Sequence, residues 1–430
     1  MRDSLERRTV SKVTWRLLPY LFLLYIVAYI DRINTSVAAL QMPRDVPMSH
    51  AAFGRGAGLF FIGYFLFEVP SNLVLARVGA RVWIARIMLV WGIISSCMMF
   101  AKTVPVFYGM RFLLGAAEAG FFPGILYYLT RWFRERDRAR AVALFMTAGS
   151  LAGVIGNPLS GFLLRLDGRG GLHGWQWVFL LEGIPAVLLG ISVLFVMTER
   201  PSEASWLAPD EKSWLEGELE RERVAKDAGP RGSLLKALVE PRVLLLTLVY
   251  FLLVTGAYGF ELWMPVIMKP LASGDDFRAT WYSAIPYVVA TVVMVAVGIL
   301  SDRAGERRWT VALCAFAAML GFLGSVWMKS PVLGLMTLSL AWCGIKSAQG
   351  PFWALSASTL SGSAAAAGLA LINSVANLGG YFGPWIAGVL ETRTRSFSTG
   401  LLLSSGLLLG AGLVVLSVRP RAVAASPPGT

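Results

Sequence analysis

A chain of 430 residues that is 56% hydrophobic and only 15% charged, with a mean hydropathy of +0.62, is too apolar to fold in water and needs a bilayer as solvent. Its net charge of +13 is not a nucleic-acid footprint, because Lys and Arg sit in short segments between apolar runs. Cys97, Cys314 and Cys343 all lie inside apolar runs, so neither a disulfide framework nor a metal site is expected.

Arg7, Arg8, Lys12 and Arg16 precede the first apolar run at 17–40, an arrangement that looks like a signal peptide. No small-residue cleavage site follows, so the run is read as an uncleaved span. Further runs lie at 55–76, 83–101, 105–129, 141–164 and 177–198. After one long polar stretch, Glu199 to Pro241, they resume at 242–267, 280–301, 309–328, 331–357, 367–390 and 397–418. About 20 apolar residues at 1.5 Å rise cross a hydrocarbon layer roughly 30 Å thick. The expected fold is therefore an all-α membrane protein with twelve transmembrane helices. Within the polar stretch, Pro209-Asp210-Glu211 followed by Trp214, Leu215 and Leu219 predicts a short amphipathic helix lying at the membrane interface.

The expected domains are an N-terminal six-helix bundle at 1–198, a cytoplasmic linker at 199–241, a C-terminal six-helix bundle at 242–418 and a cytoplasmic tail at 419–430. Of the 39 Lys and Arg residues, 25 fall on the side of the N-terminus and 10 on the other, while Arg32, Arg86, Arg111 and Lys346 are inside spans. That bias places both termini in the cytoplasm, and the expected location is a bacterial inner membrane. His50 and His173 then fall outside, which removes a histidine relay through the core.

Charged groups within spans are costly unless they face a protein interior or a wet cavity and find partners. The first span carries Asp31-Arg32. The fourth carries Arg111 and Glu118, seven residues apart, which is close to two helical turns and one shared face. Moving an organic anion into a negative-inside cell requires a cation to hold its carboxylate and a carboxylate to take up a proton. Arg32 and Arg111 suit the first task, since guanidinium forks grip carboxylates at two points. Asp31 and Glu118 suit the second, because burial and the neighbouring arginines pull their proton affinity in opposite directions. A static structural role for Asp31–Arg111 or Arg32–Glu118 is the competing reading.

Tyr25, Tyr29 and Arg32 share a helix face, as do Tyr64 and Glu68 of the second span. Span five carries Gly149, Gly153, Gly156 and Gly161, a small-residue stripe that permits close helix contact and partly resembles the proline-glycine motif of drug:proton antiporters. Glu182 follows Trp175 and Trp177 and is expected near the membrane surface in a structural role. Lys346 on span ten is either a second carboxylate anchor, a snorkelling cation or a partner of Glu261.

The loop Ala76-Arg77-Val78-Gly79-Ala80-Arg81 repeats after the eighth span as Asp302-Arg303-Ala304-Gly305-Glu306-Arg307-Arg308, which divides the chain into two six-span pseudo-repeats. The second copy resembles the signature loop of the major facilitator superfamily. The resemblance implies two bundles around a central cavity, with Asp302, Arg303, Gly305 and Arg307 in a cytoplasmic gating loop. The first copy departs from the pattern by having Ala76 where an Asp is expected. Across nearly the whole chain, Tyr29-Ile-Asp31-Arg32-Ile-Asn34, Gly63 to Asn72, Arg111 to Gly124, Trp175 to Pro185 and Asn373 to Gly380 look like the anion:cation symporter family, whose members carry tartrate, phthalate, hexuronates and galactonate. Ala85 to Met88, Pro351-Phe-Trp353 and Ala364 to Gly368 lean toward its tartrate and phthalate branch.

By this resemblance spans one and four face the cavity, Tyr29 and Tyr64 line it, and Asn373 and Asn377 bind substrate hydroxyls. The implied activity is proton-coupled import of a small organic carboxylate by a monomer, without cofactor or metal. An exporter or antiporter is the alternative, and a transporter-like ligand sensor is a more distant one. No nucleophile–base set or phosphate loop points to an enzyme.

Overall fold

The computed structural model describes residues 2–227, 240–328, 330–360 and 363–418. Among these the regular elements are all helical. They are α1 (Arg2–Ala38), α2 (Met42–Asp45), α3 (His50–Val78), α4 (Ala80–Cys97), α5 (Val104–Glu118), α6 (Phe121–Thr130), α7 (Glu135–Leu164), α8 (Gly174–Val196) and α9 (Pro209–Asp227). Then follow α10 (Pro241–Glu261), α11 (Met264–Met268), α12 (Asp276–Ala304), α13 (Arg307–Trp327), α14 (Pro331–Thr359), α15 (Ser363–Thr394) and α16 (Ser398–Ser417). The tail expected at 419–430 lies outside the described residues, as does the linker over 228–239.

Eleven stretches are long and apolar enough to cross a membrane, with α5 and α6 together forming one of them. The eleventh expected span falls in α15, a helix of 32 residues that is not among those eleven. Asn373, Asn377 and the adjoining glycines lower its hydropathy, although its length suffices to cross. Large apolar side chains such as Phe195, Leu188, Val292, Leu300 and Leu313 stand exposed, as expected where the solvent is lipid rather than water.

The chain divides into two compact units. The first holds Met1–Gly229, Gly259–Val288 and Tyr381–Gly400; the second holds Pro230–Tyr258, Val289–Gly380 and Leu401–Thr430. In the first unit, α3 packs on α5, α4 on α8, and α1 on both α7 and α8. The glycine stripe of α7 is packing surface. Gly149 faces Tyr29, Gly156 faces Ile30, and a Cβ on Gly153 would collide with the Tyr287 ring. In the second unit, α13 and α14 pack through small residues, with Gly321 against Ala341 and Gly344 against Ala318, the close approach that bundles in lipid exploit.

The amphipathic helix expected in the linker is present as α9, and it docks on the N-terminal part of the chain. Arg8 contacts Asp210 at 2.8 Å and Lys12 contacts Glu211 at 3.0 Å. Arg134 lies 4.8 Å over the Trp214 ring, and Leu215 is buried. Its apolar face is therefore satisfied by the first unit.

Candidate functional site

The first unit's interior collects the four charges that the first and fourth spans carry. Arg32 leaves α1, and its Nε donates to Glu118 Oε1 at 2.7 Å, with Nη2 on the same oxygen. Its guanidinium lies 5.5 Å from the ring centroids of both Phe60 and Tyr64 on α3, close enough for cation–π attraction on two sides. Arg111 is 4% exposed. Its Nη2 donates to the Ala57 carbonyl at 3.2 Å, and the group lies 5.1 Å from the Phe60 ring. Phe60 is thus shared between the two arginines, a role its sequence position does not announce.

The fourth span is interrupted where Glu118 ends α5. Ala119 and Gly120 break the helix, and α6 begins at Phe121. Gly120 takes φ +91, a conformation that side-chain-bearing residues avoid, and a Cβ there would collide with Ser71. The break puts the negative end of the α5 dipole at Glu118, and Arg32 supplies the compensating charge. Discontinuous helices with a charged group at the break are a recurring way to build a site inside a membrane.

Asp31 does not pair with Arg111 within salt-bridge distance. Its Oδ1 accepts from Asn34 Nδ2 at 3.0 Å and from the Ser95 hydroxyl, and the residue is fully buried. Among the described residues, Asp31 Oδ2, Glu118 Oε2, and Arg111 Nε and Nη1 are buried without a hydrogen-bond partner. Such groups are expensive to bury unless something else engages them. The cluster therefore has acceptor and donor directions open inside a bundle.

Tyr64 stacks over Arg32 as described. The Tyr29 hydroxyl donates to Glu261 Oε1 at 3.2 Å, and the Tyr287 hydroxyl donates to the same oxygen at 2.7 Å. All three residues belong to the first unit. Glu182 is enclosed by protein. It is 3% exposed, and Ser160 Oγ donates to its Oε1 at 2.6 Å. It stands eight residues into α8, about 12 Å along the axis.

The remaining expected residues lie in the second unit. Asn373 and Asn377 are half-buried one turn apart on α15. Lys346 Nζ sits 4.4 Å from the Trp342 ring centroid on α14. In the loop from α12 to α13, Asp302 and Arg307 approach to 3.9 Å, and Arg307 Nη1 donates to the Ala354 carbonyl at 2.9 Å. Arg303 closes α12 and Gly305 sits in the turn. The corresponding loop in the first half has Ala76 instead of an acid, and Glu199 takes up the vacancy from the start of the linker. Its two oxygens accept the Ala80 and Arg81 amides at 3.1 and 2.9 Å, and Arg131 lies 3.5 Å away. A sequence pattern search would not connect residues so far apart.

Residues 21–384 match the model of the Major Facilitator Superfamily. The chain is 45% identical over 416 residues to a protein of Agrobacterium vitis named "Putative tartrate transporter", covering 97% of this chain and 96% of that one. It is 43% identical over 401 residues to a quinolone resistance transporter of Acinetobacter baumannii, covering 93% and 92%. Its fold superposes on the inward-open xylose transporter XylE from E. coli with a TM-score of 0.78 at 16% identity, over 96% of this chain and 98% of that one.

Proposed function

The chain belongs to the Major Facilitator Superfamily, and we propose that it is a proton-coupled carrier that imports a small organic carboxylate by alternating access, tartrate-like hydroxydicarboxylates first. The observation that carries this reading is the Arg32–Glu118 pair with Arg111 beside it, two of whose guanidinium nitrogens are buried without partners. Two arginines and two carboxylates sum to zero charge. A substrate carboxylate adds a negative charge, which is costly to carry through a bilayer centre. A proton on Glu118 or Asp31 removes it, and a doubly ionised diacid such as tartrate requires one on each.

Coupling follows from competition. The incoming carboxylate engages Arg111 and competes with Glu118 for Arg32, so Glu118 exchanges its cationic partner for a proton. Ligand and proton then favour each other's binding, as any such linkage must be reciprocal. Tyr29 and Tyr64 line the substrate cavity, Asn373 and Asn377 offer amides to substrate hydroxyls, and Lys346 is a second carboxylate anchor. The loop of Asp302, Arg303, Gly305 and Arg307 acts as a cytoplasmic gate. The protein works as a monomer in the bacterial inner membrane with both termini in the cytoplasm, a placement supported by its loop charges. The relative named for tartrate supports the substrate class.

The test is uptake of labelled tartrate into proteoliposomes under an inward proton gradient, competed by phthalate, galactonate, glucuronate and malate. Accumulation abolished by a protonophore is the expected result. The second reading is an exporter, favoured by the relative named for quinolone resistance. No uptake of any member, with efflux under a reversed gradient, establishes that reading instead.

A further inference from the structure

The N-terminal halves of α1 and α7 enclose a cavity of about 870 Å³ that has no part in the coupling scheme. On α1 its lining steps through Arg7, Ser11, Thr14, Leu18 and Phe22. Intervals of three and four residues mark one face of a helix, and the same face continues through Tyr25 and Tyr29 to Arg32. Phe22 stands ten residues before Arg32, about 15 Å along the axis. Past Phe22 the rings close up: Tyr25 stacks on Phe145 at 4.5 Å between centroids and meets Phe122 at 5.9 Å. The cavity therefore lies on the face that carries the Arg32–Glu118 pair, with a layer of rings at its inner end. Four arginines and two acids line it. Glu6 pairs with Arg134 at 3.1 Å and with Arg136, and Asp137 pairs with Arg134 at 2.7 Å. Arg7 and Arg140 make no ion pair or hydrogen bond among the described residues. Two positive charges are thus left over in a recess whose other walls include Leu18, Phe22, Leu144 and Phe145. A recess of one sign between low-dielectric walls concentrates ions of the other sign.

We propose that this cavity is a second anion site, where Arg7 and Arg140 draw in a small organic dianion on the other side of the ring layer from Arg32. The proposal rests on the reading that the carrier moves an organic carboxylate, and it adds a place for that anion outside the Arg32–Glu118 pair. Two uncompensated guanidiniums match the two charges of an ionised diacid, so a diacid is drawn in more strongly than a monoacid of the same size. Both arginines are exposed, so the attraction is screened by salt.

The test places a thiol in the cavity. Ser11→Cys in the full-length protein, held in phosphatidylcholine nanodiscs, is modified with an anionic and a cationic methanethiosulfonate reagent. Each rate is divided by that for free 2-mercaptoethanol. On this scale the anionic reagent is expected to react roughly fivefold faster or more, and tartrate at constant ionic strength to slow both. Arg7→Gln with Arg140→Gln is expected to bring the ratio near one and to remove the protection. Arg140→Gln alone, expected to lower the ratio roughly twofold, serves should the double variant not fold. A ratio near one in Ser11→Cys, a ratio that neither variant changes, or no protection by tartrate overturns the proposal. Protection that appears only when phosphatidylglycerol is added to the discs assigns the cavity to a lipid headgroup and overturns it too. Uptake of labelled tartrate by the wild type separates this proposal from the reading beneath it. Uptake without protection overturns the second site alone, and protection without uptake upholds the site and overturns the import reading.

Discussion

Arg32 reaches from the first spanning helix to Glu118 at the point where the fourth span breaks, its Nε 2.7 Å from Glu118 Oε1. The pair neutralises a carboxylate that stands at the unfavourable end of a helix dipole, while Arg111 and Asp31 keep bonding directions open nearby. On the proposed mechanism the pair opens once per cycle, when substrate takes an arginine and a proton takes Glu118.

Glu118→Gln keeps the shape and hydrogen-bonding capacity of the protonated acid and removes its titration. Accumulation driven by a proton gradient is expected to be lost, while exchange of labelled for unlabelled substrate across the same membrane persists. Equal loss of both, with normal protein abundance, counts against a proton role. Loss of abundance alone marks a structural pair.

Arg111→Lys preserves the charge and loses the planar fork. A charge-assisted hydrogen bond is worth about 1.5–3 kcal/mol, so substrate affinity is expected to fall roughly 10- to 100-fold. Ligand binding to the purified protein measures it. An unchanged Kd removes Arg111 from the substrate site.

Gly153→Val places side-chain atoms where the Tyr287 ring lies. Overpacking of this kind costs about 1–3 kcal/mol, and Tyr287 is driven off Glu261. Transport is expected to drop, and the double variant Gly153→Val with Tyr287→Ala is expected to recover thermal stability relative to the single one. Additive losses in the double variant show that the two residues do not communicate.

Glu199→Gln weakens the two amide contacts that cap α4 and the ion pair with Arg131. Losing an N-terminal cap costs about 1 kcal/mol, with a further fraction from the helix dipole. The melting temperature in detergent is expected to fall. Restoring an acid at the vacant position, Ala76→Asp with Glu199→Gln, is expected to recover part of the loss.

The docked linker helix carries a pH dependence through Glu211. Burial pushes its carboxyl up, but the Ala208 amide together with Lys12 and Arg8 outweighs that and holds it below the ordinary value of 4.5. A group whose folded value is depressed contributes stability that is complete above the unfolded value and is lost as pH falls through the folded one. The α9 helix should therefore stay docked above pH 4.5 and loosen below it. Distances between spin labels at Ser4 and Glu218 follow this, and a distance that does not change on acidification removes Glu211 as the cause.

Hydropathy reads out the spans because it is a local sum: any stretch of about 20 apolar residues must cross or be buried. It ran low only in α15, where two asparagines and several glycines replace lipid-like side chains. Charges such as Asp31, Arg32, Arg111 and Glu118 stood out for the same local reason, each being costly where it lay. Glu261 did not stand out, because it closes a helix and looked like a partner for Lys346; its tie to Tyr29 exists only once α10, α12 and α1 are brought together.

What the sequence by itself determined is the solvent the chain folds in, the spans, the charges that cannot be left alone in them, and the superfamily. All of these follow from residue type and spacing along one chain. Only the tertiary structure decided that Arg32 rather than Arg111 takes Glu118, that Asp31 turns to Ser95 and Asn34, that the fourth span breaks at Gly120, and that Glu199 fills the place of a missing aspartate. Partner choice is settled by distances between helices, and the energy of an ion pair or hydrogen bond depends on those distances far more steeply than on sequence separation.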